Sequence, residues 1–129
     1  MLRLSEKSKT LTIVDDQVGG PTCANDIAKA CMSIAKQLMV DPTKTGTYHF
    51  SGMPNVSWYQ FANAIFEQAG RNTIVQPVRT SEYPTLAPRP LNSRLDCNLL
   101  NEVFNISRPY WRDGLEDIIK ELGVYHDTA

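Results

Sequence analysis

Apolar residues recur along the chain with two different periods, which separate strands from helices. Short apolar and β-branched runs predict strands, whereas apolar positions spaced by three and four residues predict helices, because they share one helical face. The resulting order, βαβαβ followed by a short strand and two helices, predicts an α/β fold. The elements are a strand over 11–14, a helix from Asp26 to the Asp41-Pro42 pair, a strand over 47–50, a helix from Ser57 to Gly70, strands over 74–78 and 93–96, and helices over 98–104 and from about Tyr110 onward.

The predicted helices carry end signals that local chemistry explains. Ser57 and Gln60 have the spacing of a capping box, in which each side chain bonds the backbone N–H of the other residue. Gly70 follows as a C-terminal signal, and either Asp96 or Cys97 is expected to cap the helix over 98–104. The apolar stripes consist of Ile27, Cys31, Ile34 and Leu38, of Phe61, Ala62, Ile65, Phe66 and Ala69, and of Leu115, Ile118, Ile119 and Leu122.

Composition and charge exclude several classes of partner. The 129 residues suit one domain, and a hydrophobic fraction of 42% with a charged fraction of 21% is typical of a globular protein. A net charge of −1 without a basic run argues against nucleic acid, and no apolar stretch approaches the ~20 residues that span a membrane. Cys23, Cys31 and Cys97 have neither paired nor zinc-ligand spacing. We therefore expect free thiols and a cytoplasmic protein.

A proline-bracketed arginine is the first candidate for ligand binding. Proline fixes its own φ angle and favours extended backbone in the residue before it, so Pro88 and Pro90 hold Arg89 on a stiff segment. The planar guanidinium suits phosphate oxygens, and Asn92 and Ser93 can add hydrogen bonds around the same ligand. The alternative is a surface loop in which Arg89 pairs with a carboxylate.

The loop after the first strand is the second candidate. Gly20, Pro21 and Thr22 cannot continue a regular element, and glycine allows the backbone to approach a ligand closely. The alternative is a plain turn. The preceding Asp15-Asp16 pair has no further ligands nearby in sequence, so we do not expect a metal site.

Trp58 is the third candidate, because an aromatic ring at the start of the second helix can stack on a sugar or a base. The alternative is that Trp58 or Tyr59 covers the core. His49, inside the predicted strand over 47–50, is expected to be packed or half-buried, and His126 lies in the tail, so neither indicates a catalytic triad. A glycine-rich dinucleotide turn and a Tyr-x-x-x-Lys pair are both missing. We therefore predict no catalytic residue in this chain.

Four segments occur together, in the same order and spacing, in a known family. They are Val-Asp-Asp-Gln-Val-Gly-Gly-Pro-Thr at 14–22, Gly-Thr-Tyr-His-Phe-Ser-Gly at 46–52, Ser-Trp-Tyr-Gln-Phe-Ala at 57–62 and Ala-Pro-Arg-Pro-Leu-Asn-Ser-Arg-Leu-Asp at 87–96. With the Pro-Tyr-Trp-Arg segment at 109–112, they resemble bacterial dTDP-4-dehydrorhamnose reductase, from the first residues to about Leu122. That family belongs to the extended short-chain dehydrogenases, whose N-terminal Rossmann half binds NADPH and carries Tyr-x-x-x-Lys.

The resemblance implies that the chain is the C-terminal, substrate-binding region of such an enzyme. Arg89 is implied to contact the diphosphate of a dTDP-sugar, with Asn92 and Ser93 beside it and the Gly20-Pro21-Thr22 loop near the ligand. NADPH serves the whole enzyme, and no cofactor is expected on this chain alone. An alternative is a non-catalytic regulatory or interaction module, since the regulatory subunit of methionine adenosyltransferase carries a similar pattern.

The resemblance also implies how the chain divides. Residues 26–50 are expected to supply a helix and the last strand of a Rossmann-type sheet whose N-terminal half is missing here. Residues 51–122 are expected to form a small α/β substrate domain, and residues 123–129 a tail. An apolar face of 26–50 would then be exposed, and we expect the missing NADPH-binding half or a second copy of the chain to cover it.

Overall fold

The computed structural model describes residues 1–124, and the predicted α/β class is confirmed. Two short 3₁₀ turns, at Pro42–Lys44 and Thr80–Glu82, follow α2 and β4. The helices and strands are α1 (Leu2–Ser5), β1 (Thr10–Val14), β2 (Val18–Gly19), α2 (Ala24–Val40), β3 (Val56–Ser57), α3 (Trp58–Gln68), β4 (Ile74–Val78), β5 (Asn92–Ser93), α4 (Asn98–Phe104) and α5 (Trp111–Glu121).

Two small sheets organise the fold. β1 and β4 form a parallel pair in which Val14 lies opposite Val78, and α3 contacts both strands. The second sheet has the order β3-β2-β5, with β2 antiparallel to β3 and parallel to β5. Because parallel strands end at the same edge of a sheet, the segments after β1 and β4 leave from one edge. The segment after β1 leads into β2 and the segment after β4 leads into β5, and these two strands pair in the second sheet.

The core lies between α3 and α5. Phe61 stands edge-on to Trp111, with ring centroids 5.3 Å apart, and the Trp111 indole N–H donates to the Pro54 carbonyl oxygen at 2.9 Å. The apolar stripe predicted for α5 is only half right, because Ile118 and Leu122 are exposed. The core cluster consists of Ala62, Ala64, Ile65, Phe66, Ala69, Trp111, Leu115 and Ile119.

The predicted helix ends are confirmed where side chains determine them. Ser57 accepts from the Gln60 backbone N–H at 3.1 Å, and the Gln60 side chain accepts from Ser57 N–H at 2.9 Å. Gly70 ends that helix with a φ of +57°, a conformation that glycine adopts without strain. At α4 the N-cap residue is Cys97, which makes no side-chain cap, and the preceding Asp96 carboxylate accepts from Asn98 N–H at 3.0 Å.

Two strand predictions were wrong in whole or in part. Residues 47–50 form no strand, because a strand needs a ladder partner and none lies beside this segment within residues 1–124. Tyr48 instead packs edge-on against Phe104, with centroids 4.9 Å apart, and His49 is exposed rather than half-buried. The strand predicted over 93–96 is Asn92–Ser93. The predicted tail, with His126, lies largely outside the described residues.

α2 buries little of its surface within residues 1–124, and Ile34 and Leu38 of its predicted apolar stripe are half-buried. Ala30 is its only buried residue, whereas Ile27 and Cys31, from the predicted apolar stripe, are exposed. The Gln37 amide donates to the Phe104 carbonyl oxygen at 2.9 Å. The helix therefore contacts the domain through Ala30 and Gln37. Neither α2 nor any other helix within residues 1–124 has the length and apolar character to cross a bilayer.

Candidate functional site

A cavity of about 440 Å³ lies beside the three-stranded sheet and collects most of the predicted binding residues. Of the seven candidates, Gly20, Pro21, Thr22, Trp58, Arg89 and Ser93 line it. Asn92 does not line it, and its side-chain oxygen accepts from Arg94 N–H at 3.1 Å. The remaining lining residues are Gln17, Val18, Gly19, Val56, Ser57, Phe61 and Pro90.

The short strand β2 brings these distant segments together. Val18 lies opposite both Ser57 on β3 and Asn92 on β5, and Gly19 lies opposite Val56 and Ser93. The Val18 N–H also donates to the Leu91 carbonyl oxygen at 2.9 Å. The glycine loop, the start of α3 and the Arg89 segment therefore border one cavity, although they are far apart in sequence.

The Gly20 loop is shaped by close contact with a second loop. A Cβ atom added at Gly20 would overlap the Gly52 carbonyl oxygen, and one added at Gly52 would overlap that of Pro21. The Thr22 hydroxyl accepts from Gly52 N–H at 3.0 Å and donates to the Gly20 carbonyl oxygen at 2.9 Å. The glycines at 20 and 52 thus permit backbone-to-backbone packing, and the Thr22 hydroxyl proton is already used within the protein.

Arg108 holds the second of these loops, residues 51–55, in place, and the sequence analysis missed it. Its Nε donates to the Ser51 carbonyl oxygen at 3.1 Å, and its Nη2 bonds the Gly52 carbonyl and, at 2.8 Å, Asn55 Oδ1. Arg108 precedes Pro109 much as Arg89 precedes Pro90, so the local sequence gave no reason to distinguish their roles. Its partners are neutral oxygens, which identifies a loop clamp rather than a ligand contact.

Arg89 differs from Arg108 in being exposed and without a protein partner. Among residues 1–124, no side chain forms a hydrogen bond or ion pair with it. The alternative in which Arg89 pairs with a carboxylate is therefore not observed in the described part of the chain. Trp58 also lines the cavity and is 50% exposed, so its ring is not a core residue.

The two aspartates after β1 are structural. Asp15 Oδ1 accepts from the Ser57 hydroxyl at 2.5 Å, and Asp16 accepts from both the hydroxyl and the N–H of Thr80, at 2.5 and 3.0 Å. The hydrogen bond from the Thr80 hydroxyl lowers the pKa of Asp16. Residues 1–124 contain no cluster of histidine, cysteine or acidic side chains that could hold a metal ion.

A second cavity of about 300 Å³ adjoins the first and shares Gln17, Trp58 and Arg89 with it. Gln17 is buried, and its amide nitrogen donates to the Thr80 hydroxyl oxygen at 3.1 Å. Sequence reasoning passed over Gln17, although it stands within the segment 14–22. Its only signal there was a polar residue between a strand and a glycine-containing loop.

Comparisons with known proteins agree on one family. The family model described as the RmlD substrate binding domain matches residues 1–124. The dTDP-4-dehydrorhamnose reductase of Aggregatibacter actinomycetemcomitans is 43% identical over 125 residues, which cover 92% of this chain and 42% of that protein. The reductase of Escherichia coli K12 is 32% identical over 128 residues, covering 95% and 43%. The comparisons give no support to a regulatory module.

Solved structures give the same result. The dTDP-4-dehydrorhamnose reductase of Clostridium acetobutylicum superimposes with a TM-score of 0.80 at 32% identity, covering 95% of this chain and 42% of that one. The Bacillus anthracis enzyme, solved in complex with NADP, gives a TM-score of 0.78 at 32% identity, covering 93% and 41%. The chain thus spans about two-fifths of the length of these relatives. It belongs to the family of the RmlD substrate binding domain.

Proposed function

We propose that this domain binds the dTDP-sugar substrate of a dTDP-4-dehydrorhamnose reductase, with Arg89 as the contact to the diphosphate. The observation that carries the proposal is the unpartnered guanidinium of Arg89 at a cavity bordered by five other predicted binding residues. An arginine fork can donate two parallel hydrogen bonds to phosphate oxygens. The exposed Trp58 ring offers a surface for stacking on a base or sugar. Ser93 is proposed to add a polar contact from β5, whereas Asn92, which does not line the cavity, is left out of the proposal.

The proposed reaction is the reduction of dTDP-4-dehydro-L-rhamnose to dTDP-L-rhamnose with NADPH, in the cytoplasm, for cell-surface polysaccharide biosynthesis. This chain contributes only substrate recognition, because its sequence has neither a glycine-rich dinucleotide turn nor a Tyr-x-x-x-Lys pair. We propose that both belong to the part of the reductase that the matched relatives have in addition. A relative in Bacillus subtilis, 36% identical, is named a spore coat polysaccharide biosynthesis protein, which agrees with this role.

Arg89→Ala is expected to weaken the binding of dTDP by about 10- to 100-fold, because a charge-assisted pair to a phosphate contributes about 1.5–3 kcal/mol. The affinity of Arg89→Lys for dTDP should lie between those of the wild type and Arg89→Ala, since lysine keeps the charge and loses the planar fork. Dissociation constants would be measured by NMR titration of the 129-residue chain, which reaches the millimolar range expected for half of a binding site. Arg94→Ala is the matched control, because Arg94 is exposed and does not line the cavity. Equal affinities of the two alanine variants would rule out the assignment of Arg89.

We further propose that residues 26–50 pack on the NADPH-binding half of the enzyme. The proposal is supported by two large apolar side chains of α2 that are exposed, Ile27 by 44% and Met39 by 87%. α2 already contacts this domain through Ala30 and Gln37. The chain spans only about 42% of relatives such as the A. actinomycetemcomitans reductase, so a covering half of suitable size exists in them. The segment 47–50, which lacks a ladder here, is proposed to join the sheet of that half.

Replacing Ile27 and Met39 together with serine is expected to weaken association with a separately produced NADPH-binding half at least tenfold. Burial of one large apolar side chain contributes about 1.5–3 kcal/mol, and both side chains are exposed in this chain. Sedimentation velocity of the mixed halves would measure their association. The same measurement on the chain alone would measure its self-association. Lys36→Ser is the control, since Lys36 is an exposed residue of the same helix that offers no large apolar side chain for burial. Equal association of the two variants would contradict the proposal.

A further inference from the structure

Gln17 is a buried polar residue where the two cavities meet. It lines both of them, yet only 7% of it is exposed. Its amide nitrogen donates to the Thr80 hydroxyl oxygen at 3.1 Å, whereas its amide oxygen has no partner within residues 1–124. The fully buried side-chain atom without a partner in this part of the chain is Gln68 Oε1 and not Gln17 Oε1, so the Gln17 amide oxygen is accessible. In a residue that lines two cavities, it offers a ligand a free hydrogen-bond acceptor.

Thr80 and Asp16 determine which way the Gln17 amide faces. A hydroxyl group has one proton, and Thr80 donates its proton to Asp16 Oδ1 at 2.5 Å. This hydrogen bond lowers the pKa of Asp16, so the carboxylate is an ionised acceptor at neutral pH and returns no proton. The Thr80 oxygen can then only accept from Gln17. The amide nitrogen is thereby fixed on Thr80, and Oε1 is left for a ligand.

We propose that Gln17 Oε1 accepts a hydrogen bond from a sugar hydroxyl of the bound nucleotide sugar, with Thr80 and Asp16 as positioning residues. The inference rests on the function proposed above. Gln17 and Arg89 line both cavities, so a ligand with its diphosphate on Arg89 presents the groups next to the diphosphate to Gln17. Those groups are the 3′-hydroxyl of deoxyribose on one side and the hexose hydroxyls on the other, whereas the thymine N–H lies at the far end of the nucleoside. Both sources offer the same chemistry, a hydroxyl donor.

The test compares three ligands on wild type and on Gln17→Met, which keeps the side-chain length and loses the hydrogen bonds. The ligands are dTDP, its 2′,3′-dideoxy analogue and dTDP-L-rhamnose, titrated by NMR into the 129-residue chain. If deoxyribose is the donor, Gln17→Met binds dTDP about five- to tenfold more weakly and binds the dideoxy analogue as wild type does. If the hexose is the donor, the same loss appears for dTDP-L-rhamnose and not for dTDP. Gln76→Met, at an exposed position of β4, is the control and should change none of the three constants.

Thr80→Val tests the positioning role separately, because it leaves Gln17 in place and removes the group that orients the amide. If deoxyribose is the donor, it should reduce the ratio of the affinity for dTDP to that for the dideoxy analogue about two- to threefold; if the hexose is the donor, the ratio for dTDP-L-rhamnose and dTDP should fall by the same factor. General destabilisation would weaken the binding of all three ligands alike and would leave these ratios unchanged. If Gln17→Met does not fold, Thr80→Val and the ratios of the wild-type affinities still test whether Gln17 accepts a hydrogen bond from a sugar hydroxyl.

The outcomes separate the two proposals. Weak binding by Arg89→Ala combined with equal losses for all three ligands in Gln17→Met, or with no losses, would overturn the role of Gln17 alone. Wild-type protein that binds none of the ligands would overturn the proposed function and this inference with it. Wild-type affinities that are the same for dTDP, its dideoxy analogue and dTDP-L-rhamnose would also overturn the inference, since no hydroxyl would then contribute.

Discussion

Gly52→Ala is expected to destabilise the domain by about 3 kcal/mol, a large share of the roughly 5–15 kcal/mol that holds a typical domain folded. The new Cβ would overlap the Pro21 carbonyl oxygen, a backbone atom that cannot rotate away. Relieving the overlap would separate two loops that the Thr22 hydroxyl joins and would disturb the bond from Arg108 to Gly52. Urea unfolding followed by circular dichroism would measure the loss, and the affinity for dTDP should fall as well, because Pro21 lines the cavity.

Gly19→Ala is the matched control for this prediction. A Cβ at Gly19 would lie 3.5 Å from the Ser93 side chain, an ordinary contact distance. We expect a change in the free energy of unfolding within about 0.5 kcal/mol, as for most substitutions without a specific clash. A Gly52→Ala variant as stable as Gly19→Ala would show that the two loops do not pack as closely as described.

Trp111→Ala is expected to cost about 3–5 kcal/mol, the usual range for removing a large buried aromatic side chain. Trp111 is buried in the core cluster, stands against Phe61, and satisfies the Pro54 carbonyl oxygen through its indole N–H. Trp111→Phe keeps most of the apolar contact and loses that hydrogen bond, so a cost of about 1 kcal/mol is expected beyond the volume change. Thermal and urea unfolding would measure both variants.

The second tryptophan provides the comparison within the same chain. Trp58 is 50% exposed and lines the cavity, so Trp58→Ala should cost less than about 1.5 kcal/mol of stability and should weaken dTDP binding. Trp111→Phe should have the opposite profile, with lower stability and nearly unchanged affinity. Similar stability losses at both positions would contradict the assignment of Trp111 to the core and Trp58 to the site.

Local sequence was sufficient where neighbours in the chain make the structure. The capping box of Ser57 and Gln60, the hydrogen bond to the Asp96 carboxylate and the bounds of α4 follow from contacts between residues at most three positions apart, or from one apolar stripe. The prolines on either side of Arg89 are equally local, and they marked Arg89 as a candidate that lines the cavity. Such features can be predicted because no distant partner has to be known.

Features that depend on distant partners could not be predicted. β2 and β3 have two residues each, too few for a period, and form only because Val18 and Gly19 find partners elsewhere in the chain. The segment 47–50 has the composition of a strand but no ladder within residues 1–124. Arg108 and Gln17 have their roles through Gly52 and Thr80, which lie far from them in sequence.

The position of β2 between β3 and β5 has a consequence for folding. A two-residue strand gains little from its own hydrogen bonds, and each of its pairings closes a long loop of chain at an entropic cost. No fragment containing only some of these segments would therefore hold a binding-competent cavity. Contacts between distant segments also slow folding, because loop closure precedes the stabilisation that follows from it. The cavity should therefore form in the same cooperative step as the fold. Only molecules that have completed folding are then expected to bind ligand.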